Sequence, residues 1–152
     1  MKFSHELERI FFESTIIGID FSRWGEFVSL IVLSRWNELD GIIYPVSEIV
    51  VVNFREVAEF DLVRSEAIGH ESEACFPDLG IEVNHVDVSD GVEVIIHSTY
   101  FKKFNIKFNG YDFFVLERDV VNFVKILQRG NSSMIRFDMK FLFYEFGRAK
   151  RR

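Results

Sequence analysis

Apolar and polar positions along this 152-residue chain follow two periods, and the rarer of the two is helical. Residues 3–12 place apolar side chains at i, i+4, i+7 and i+8, a spacing that predicts a short amphipathic helix. A second stripe of this kind covers residues 119–129, where Asp119 can cap the first turn and Gly130 can end the helix. The helical period therefore predicts one helix near each end of the chain.

The commoner period is that of a β-strand. Runs rich in β-branched residues over 15–21 and 26–33 flank a four-residue loop and predict a hairpin. The second run is apolar in both phases, and so is the run 48–54 that follows the turn residues Asp40-Gly41. Both are therefore expected to be central strands covered on two faces. Residues 134–146 alternate strictly, which predicts a long strand with one buried face.

The segment 81–98 predicts a further hairpin, but its apolar residues change phase part of the way along. A bulge at residues 84–85 would return all of them to one face. If residues 89–91 form a three-residue loop, the apolar residues pair across the two strands. On the opposite face, the same register places Asp87 across from Glu93.

The segment 104–116 reads FNIKFNGYDFFVL, and five of its thirteen residues are aromatic. Asn109-Gly110 predicts a two-residue type I′ turn between two strands. That hairpin would pair Lys107 with Asp112 on one side. On its other side it would place a set of core residues: Phe104, Ile106, Phe108, Tyr111, Phe113 and Val115.

The same hairpin leaves Phe114 and Leu116 on the side of the charged pair. They are either covered by the predicted helix 119–129 or exposed as an apolar patch for a partner. We favour the helix, because exposed apolar patches are rare on monomers.

Together these elements predict an α+β fold, namely a mostly antiparallel sheet of about seven strands with an N-terminal and a C-terminal helix. A chain of this length is long enough to build one core, and it contains no Pro-rich or Ser-rich linker. We therefore expect a single domain over residues 1–147, followed by a basic C-terminal tail over residues 148–152.

The composition predicts a cytoplasmic protein with no membrane span. Cys75 is the single cysteine, so no internal disulfide can form. No apolar segment reaches the length of a membrane span. The first residues carry Glu6, Glu8 and Arg9, where a signal peptide would need an unbroken apolar run.

The net charge of −6 conceals two halves of opposite sign. Residues 1–99 hold 6 Lys and Arg against 19 Asp and Glu, whereas residues 100–152 hold 12 against 5. Folding can interleave the halves and partly neutralise them, or it can leave two opposed surfaces. The acidic stretch 59–93 is either an ordinary solvated loop and hairpin or a docking surface for a basic protein, such as a nuclease. In the second case, the residues expected to bind the partner are Glu66, Glu71, Glu73, Asp87 and Glu93.

No motif in the sequence indicates catalysis or a cofactor. Phosphate-binding glycine loops and nucleophile motifs are absent, and the nine glycines occur singly. His70 and Cys75 could supply at most two metal ligands from one segment. A carboxylate–histidine site at Glu82 and His97 is the least favoured interpretation. We therefore predict a non-enzymatic protein without a cofactor or a metal centre.

Binding of single-stranded nucleic acid is the main alternative. Basic residues lie among aromatic residues in the predicted strands 102–115 and 136–144, a combination typical of single-strand grooves. The basic residues concerned are Lys102, Lys103, Lys107, Arg136, Lys140 and those of the C-terminal tail. Against this alternative, the whole chain is acidic, with a calculated pI near 5.2, and would repel a polyanion at long range.

The runs GIDFSRWGEFVSLIVLSRW and YPVSEIVVVNFREVAEFDL, within residues 15–62, are similar in style to a known group of proteins. Together with the acidic, Phe-rich composition, they resemble the immunity proteins that bacteria make against polymorphic or contact-dependent toxins. The resemblance implies tight binding of a cognate toxin, over its active site or beside it. Our own hypothesis is a monomeric or dimeric inhibitor of this kind.

Overall fold

The computed structural model of the protein describes residues 3–22, 26–65, 81–99, 101–116 and 149–151. This part of the chain contains one helix and ten strands. Their bounds are α1 Glu6–Phe11, β1 Thr15–Ser22, β2 Phe27–Leu39, β3 Ile42–Arg55, β4 Glu59–Arg64, β5 Ile81–Glu82, β6 His85–Ser89, β7 Glu93–His97, β8 Phe101–Lys107, β9 Gly110–Leu116 and β10 Ala149–Arg151.

The strands form two antiparallel sheets. One has six strands in the order β10-β9-β3-β2-β1-β5, and the other has four in the order β4-β8-β7-β6. The mostly antiparallel α+β architecture and the N-terminal helix are thereby confirmed. The expected count of about seven strands was too low, because β4 and β10 lie where no strand was predicted and the first predicted strand of segment 81–98 is divided into β5 and β6.

One apolar core is shared by α1 and both sheets. The helix contributes Leu7, Ile10 and Phe11, all fully buried, as its apolar stripe predicted. His5 caps the helix, since its Nδ1 accepts a hydrogen bond of 3.1 Å from the Leu7 backbone N–H.

The helix is also joined to β9 by a polar contact, in which the Tyr111 hydroxyl donates a hydrogen bond to the Glu6 carboxylate. Burial, together with this hydrogen bond, raises the pKa of the Tyr111 phenol. The phenol therefore stays protonated and remains a donor at neutral pH.

The six-stranded sheet is buried on both faces in its centre. Residues Val28, Leu30 and Val32 of β2 face the shared core, and Ile31 between them is also fully buried on the opposite face. The prediction that β2 and β3 are central strands is confirmed, because β2 lies between β1 and β3 and β3 lies between β2 and β9.

Phe114 and Leu116 belong to this second face and are 2% and 3% exposed. They lie opposite Val51 and Ile49 on β3. An exposed apolar patch at these two residues is thereby excluded. The helix 119–129 that was expected to cover them lies outside the described residues, as does the predicted strand 134–146.

The apolar phase change in the segment 81–98 marks a passage between sheets rather than a bulge. Ile81 lies in β5 of the six-stranded sheet and Val86 in β6 of the four-stranded sheet, and both are buried. At the passage, the Val83 N–H donates to Ser14 O and the Asn84 N–H donates to His97 O, each at 2.8 Å.

The loop between β6 and β7 lies one residue later than predicted. Asp90 and Gly91 both have positive φ, 51° and 69°, and Val92 follows them as an extra residue before Glu93. As a result, Ser89 pairs with Glu93, and Asp87 lies across from Ile95 rather than from Glu93. The loop therefore consists of residues 90–92, beginning with the two residues of left-handed backbone, whereas the predicted loop covered residues 89–91.

The segment 104–116 is not a hairpin, and the predicted turn at Asn109-Gly110 is wrong. Its first half is β8 of the four-stranded sheet and its second half is β9 of the six-stranded sheet. Neither Asn109 nor Gly110 has the positive φ that a type I′ turn requires. The Phe108 N–H donates to Val92 O at 2.8 Å and the Asn109 N–H donates to Arg55 O at 3.0 Å.

The core assignment of the same segment is confirmed. All six predicted residues lie in or against the shared core: Phe104, Ile106, Phe108, Tyr111, Phe113 and Val115. The predicted pair of Lys107 with Asp112 is wrong. Lys107 pairs instead with Glu59 at 3.2 Å, and Asp112 pairs with Arg55 at 3.4 Å.

Residues 149–151 of the predicted basic tail form β10, which pairs with β9 at the edge of the six-stranded sheet. The division of the chain into a domain and a tail stays a prediction. In the described ranges, no helix is long and apolar enough to cross a membrane.

The passage between sheets at residues 108–110 can be tested by comparing two glycines. Gly41 has a φ of 79°, whereas the atoms nearest to an added Cβ at Gly110 belong to the end of the Arg55 side chain, with Nη2 at 2.9 Å. We expect Gly41→Ala to lower the free energy of unfolding by about 1–2 kcal/mol through backbone strain. Gly110→Ala should cost less than about 1 kcal/mol, because the exposed Arg55 side chain can move.

Urea denaturation of the wild type and both variants measures the change in the free energy of unfolding. An equal or larger loss for Gly110→Ala would mean that residues 109–110 form the turn after all.

Candidate functional site

The outer surface of the four-stranded sheet, here called the polar face, carries most of the described residues that the sequence had marked as candidates. Alternate residues of β6, β7 and β8, such as Val86, Val94 and Ile106, point into the core. The residues between them form the polar face, which comprises Glu59, Asp61, Val63, His85, Asp87, Ser89, Glu93, Ile95, His97, Lys103, Asn105 and Lys107.

Ion pairs join β4 to β8 on the polar face. Lys103 Nζ lies 3.2 Å from Asp61 Oδ2, and Lys107 Nζ lies 3.2 Å from Glu59 Oε2. The Lys103 ammonium beside it lowers the pKa of the Asp61 carboxyl, and the Glu59 carboxylate raises the pKa of the Lys107 ammonium. Each charged form is therefore favoured by its partner.

These pairs join the acidic half of the chain to the basic half. Glu59 and Asp61 begin the acidic stretch, and the two lysines belong to the basic C-terminal half. Within the described strands, the observation supports the interleaved interpretation of the charges. It also weighs against nucleic-acid binding through Lys103 and Lys107, because their charges are already opposed by carboxylates.

Of the five predicted partner-binding residues, two lie on the polar face. Asp87 is exposed and bound to His97, and Glu93 Oε2 accepts a hydrogen bond of 3.2 Å from Asn105 Nδ2. The other three, Glu66, Glu71 and Glu73, lie outside the described residues, as do Arg136 and Lys140 of the nucleic-acid alternative.

Two histidines and one carboxylate meet at the β6–β7 side of the polar face, and we call this group the histidine cluster: His85, Asp87 and His97. His97 Nε2 lies 2.7 Å from Asp87 Oδ2. The rings of His85 and His97 stack with centroids 4.3 Å apart and an angle of 19° between their planes. One ligand atom from each of the three residues lies within 4.8 Å of the others.

Sequence reasoning missed the histidine cluster because it placed the β6–β7 loop one residue too early. In the observed register His85 lies directly opposite His97. The Asp90-Gly91 pair could have revealed the cluster, because a turn at these two residues followed by one extra residue gives the observed register. The predicted partner of His97 was Glu82, but the carboxylate that contacts the His97 ring is that of Asp87. The backbone carbonyl of Glu82 instead accepts a hydrogen bond of 2.6 Å from Ser98 Oγ.

A second feature is the β2–β3 arm, which we define as residues 35–47. Among the described strands, β2 pairs with β1 only as far as Leu33, and β3 pairs with β9 only from Ile49. Beyond these points the two strands continue as a ribbon. Asp40 and Gly41 close it with φ angles of 53° and 79°, as expected for a type I′ turn.

The tip of the β2–β3 arm exposes three large apolar side chains. Leu39 is 63% exposed, Ile42 is 68% exposed and Tyr44 is 37% exposed. Leu39 pairs directly with Ile42, and Tyr44 follows two residues later, so that all three share one side of the ribbon. The tip is therefore an apolar surface turned to solvent.

On the other side of the ribbon, an open cleft of about 200 Å³ separates the arm from α1. Its lining includes His5, Arg9 and Glu38. The cleft is smaller than typical small-molecule sites of roughly 300–1,000 Å³. The arm is thus better suited to a macromolecular contact than to a small ligand.

The charge pairs of the polar face can be tested at Asp61. Lys103→Gln should raise the pKa of the Asp61 carboxyl toward its usual value near 3.8, because the ammonium group that lowers it is lost. A lowered folded pKa stabilises the protein above the unfolded pKa of about 4, and this contribution disappears as the pH falls below that value. Carboxyl NMR titration of both proteins measures the shift.

Lys102→Gln is the matched control, since it removes the same charge from the neighbouring position of β8. An Asp61 pKa that moves equally in both variants would argue against the specific pair.

No protein-family model matches the chain, and neither a curated protein nor a solved structure shows significant similarity to it. The expected relation to bacterial immunity proteins therefore stays a prediction that depends on the residues themselves.

Proposed function

We propose that the protein is a non-enzymatic binding module of the cytoplasm, an immunity protein that neutralises a cognate, basic toxin of the nuclease type. The observation that carries this proposal is the apolar tip of the β2–β3 arm within an acidic segment. Its three exposed residues, Leu39, Ile42 and Tyr44, would be the anchor of the interface.

Exposure of these side chains has a physical cost that a partner would remove. A two-stranded ribbon is marginally stable by itself, and apolar surface in water contributes nothing to folding. Interfaces typically bury a few apolar and aromatic anchors at their centre and keep charged residues at the rim. The arm has this arrangement, with its anchors on one side and Asp40 in the turn.

The charge of the β2–β3 arm favours a basic partner. The arm itself holds Glu38 and Asp40 against Arg35, and Glu48 follows it, so that residues 35–48 carry a net charge of −2. The whole chain has a net charge of −6, which would attract a basic surface at long range and accelerate the encounter with it. Nuclease-type toxins carry such surfaces because they bind phosphate.

Of the acidic residues predicted to bind the partner, Asp87 and Glu93 already bond to His97 and Asn105. We therefore assign the main anchor to the arm. Glu66, Glu71 and Glu73 are proposed as steering charges, and the protein acts as a monomer or dimer.

The test compares the wild type with the double variant Leu39→Ser/Ile42→Ser. The product of the neighbouring upstream gene is expressed alone and with each protein, growth is followed, and the dissociation constant of the purified pair is measured by calorimetry. We expect toxicity that the wild type suppresses. The double variant should bind at least about thirtyfold more weakly, because anchor residues contribute roughly 2 kcal/mol or more.

Val92→Ser is the matched control, since Val92 is 47% exposed in a different hairpin loop. It should bind within about twofold of the wild type, and circular dichroism should show that all variants fold. The proposal fails if the neighbouring product is not toxic or not suppressed. A partner that binds the double variant as tightly as the wild type would remove the arm from the interface.

A further inference from the structure

We propose that the histidine cluster is a Zn²⁺ site with three protein ligands, His85, Asp87 and His97, and one open coordination position. This inference depends on the geometry of the β6–β7 hairpin and is independent of the proposed function.

The donor set fits zinc. Two imidazoles and one carboxylate are the mixed nitrogen and oxygen ligands that Zn²⁺ accepts, whereas Mg²⁺ and Ca²⁺ prefer oxygen alone. Three protein ligands with an open fourth position are characteristic of zinc sites that exchange water or another ligand. His85 and Asp87 are exposed and His97 is half-buried, so that a metal ion can reach the site from solvent.

The distances are close to those of a bound ion. Tetrahedral zinc with bonds of about 2.0–2.2 Å places its ligand atoms roughly 3.3 Å apart. The three atoms of the histidine cluster already lie within 4.8 Å of one another, and His97 Nε2 and Asp87 Oδ2 are 2.7 Å apart. Binding would open the 2.7 Å contact between His97 and Asp87 and turn the stacked His85 ring toward the ion, and rotation of side chains on the solvent side of the hairpin can supply both changes.

The backbone holds the three residues in register. His85 and His97 are directly opposed, and Asp87 lies two residues along β6 from His85 and therefore on the same face. The Asn84 N–H donates to His97 O at 2.8 Å, which secures this end of the hairpin. The opposite face of both strands is fixed in the core by Val86 and Ile96.

Zinc bound in this way would join β6, the last strand in the four-stranded order, to β7. Because the ligands come together only in the folded hairpin, binding should favour the folded state. The protein should therefore show a melting temperature that rises with added Zn²⁺.

The experiment titrates the full-length, metal-free protein with Zn²⁺ by calorimetry and with Co²⁺ by visible absorption. His85→Ala and His97→Ala should each weaken Zn²⁺ binding at least about tenfold and abolish the tetrahedral Co²⁺ spectrum. Asp87→Asn should weaken binding while leaving both imidazoles in place. All three side chains lie on the solvent side of the hairpin, and circular dichroism checks that each variant folds.

Two controls remove histidines elsewhere. His5→Asn deletes an imidazole but keeps a good helix cap, so it should bind Zn²⁺ like the wild type. The double variant His70→Asn/Cys75→Ser removes the remaining histidine and the single cysteine, and it should also bind normally.

The inference is overturned by any of three results. The wild type could fail to bind Zn²⁺ at millimolar concentration, His85→Ala and His97→Ala could bind as tightly as the wild type, or the affinity could depend on His70 and Cys75 instead. A Co²⁺ spectrum lost in both histidine variants and retained in both controls, together with a Zn²⁺-dependent rise in melting temperature, would establish the site.

Discussion

The structure depends on one apolar core that two sheets and a helix fill together. Aromatic contacts stabilise it. The ring centroids of Phe54, in the six-stranded sheet, and Phe108, at the passage between sheets, are 4.8 Å apart, and those of Phe60 and Phe104, on neighbouring strands of the four-stranded sheet, are 5.8 Å apart. Such ring pairs add to the stabilisation that burial provides. The chain can pass between sheets at residues 108–109 because both halves of the segment present their apolar side to this same core.

The polar face is a consequence of that core. Successive side chains of a strand point to opposite sides, so a four-stranded sheet with one face buried must present its other residues outward. There they form ion pairs between β4 and β8, and the histidine cluster between β6 and β7. Charges that are far apart in sequence thereby become neighbours, and little of the acidity of β4 remains unopposed.

The β2–β3 arm is the described feature that this core does not explain. Its two strands pair with one another beyond the point where β1 and β9 end, and the apolar residues at its tip face solvent. The basic partner that we propose would account for both properties, since it would cover the apolar side and oppose the carboxylates of the arm.

The sequence by itself determined which side chains of its clearly periodic segments are buried, and it placed the turn at Asp40-Gly41. The helical stripe of α1, the two-faced centres of β2 and β3, and the core residues of 104–116 all follow from periods of 3.6 and 2, which depend only on neighbouring residues. Beyond the β1–β2 and β6–β7 hairpins, only the tertiary structure decided which strands are paired and in which register. A strand can bury the same side chains in either sheet, so the passage at Asn109 and the facing of His85 with His97 depend on competition among distant strands.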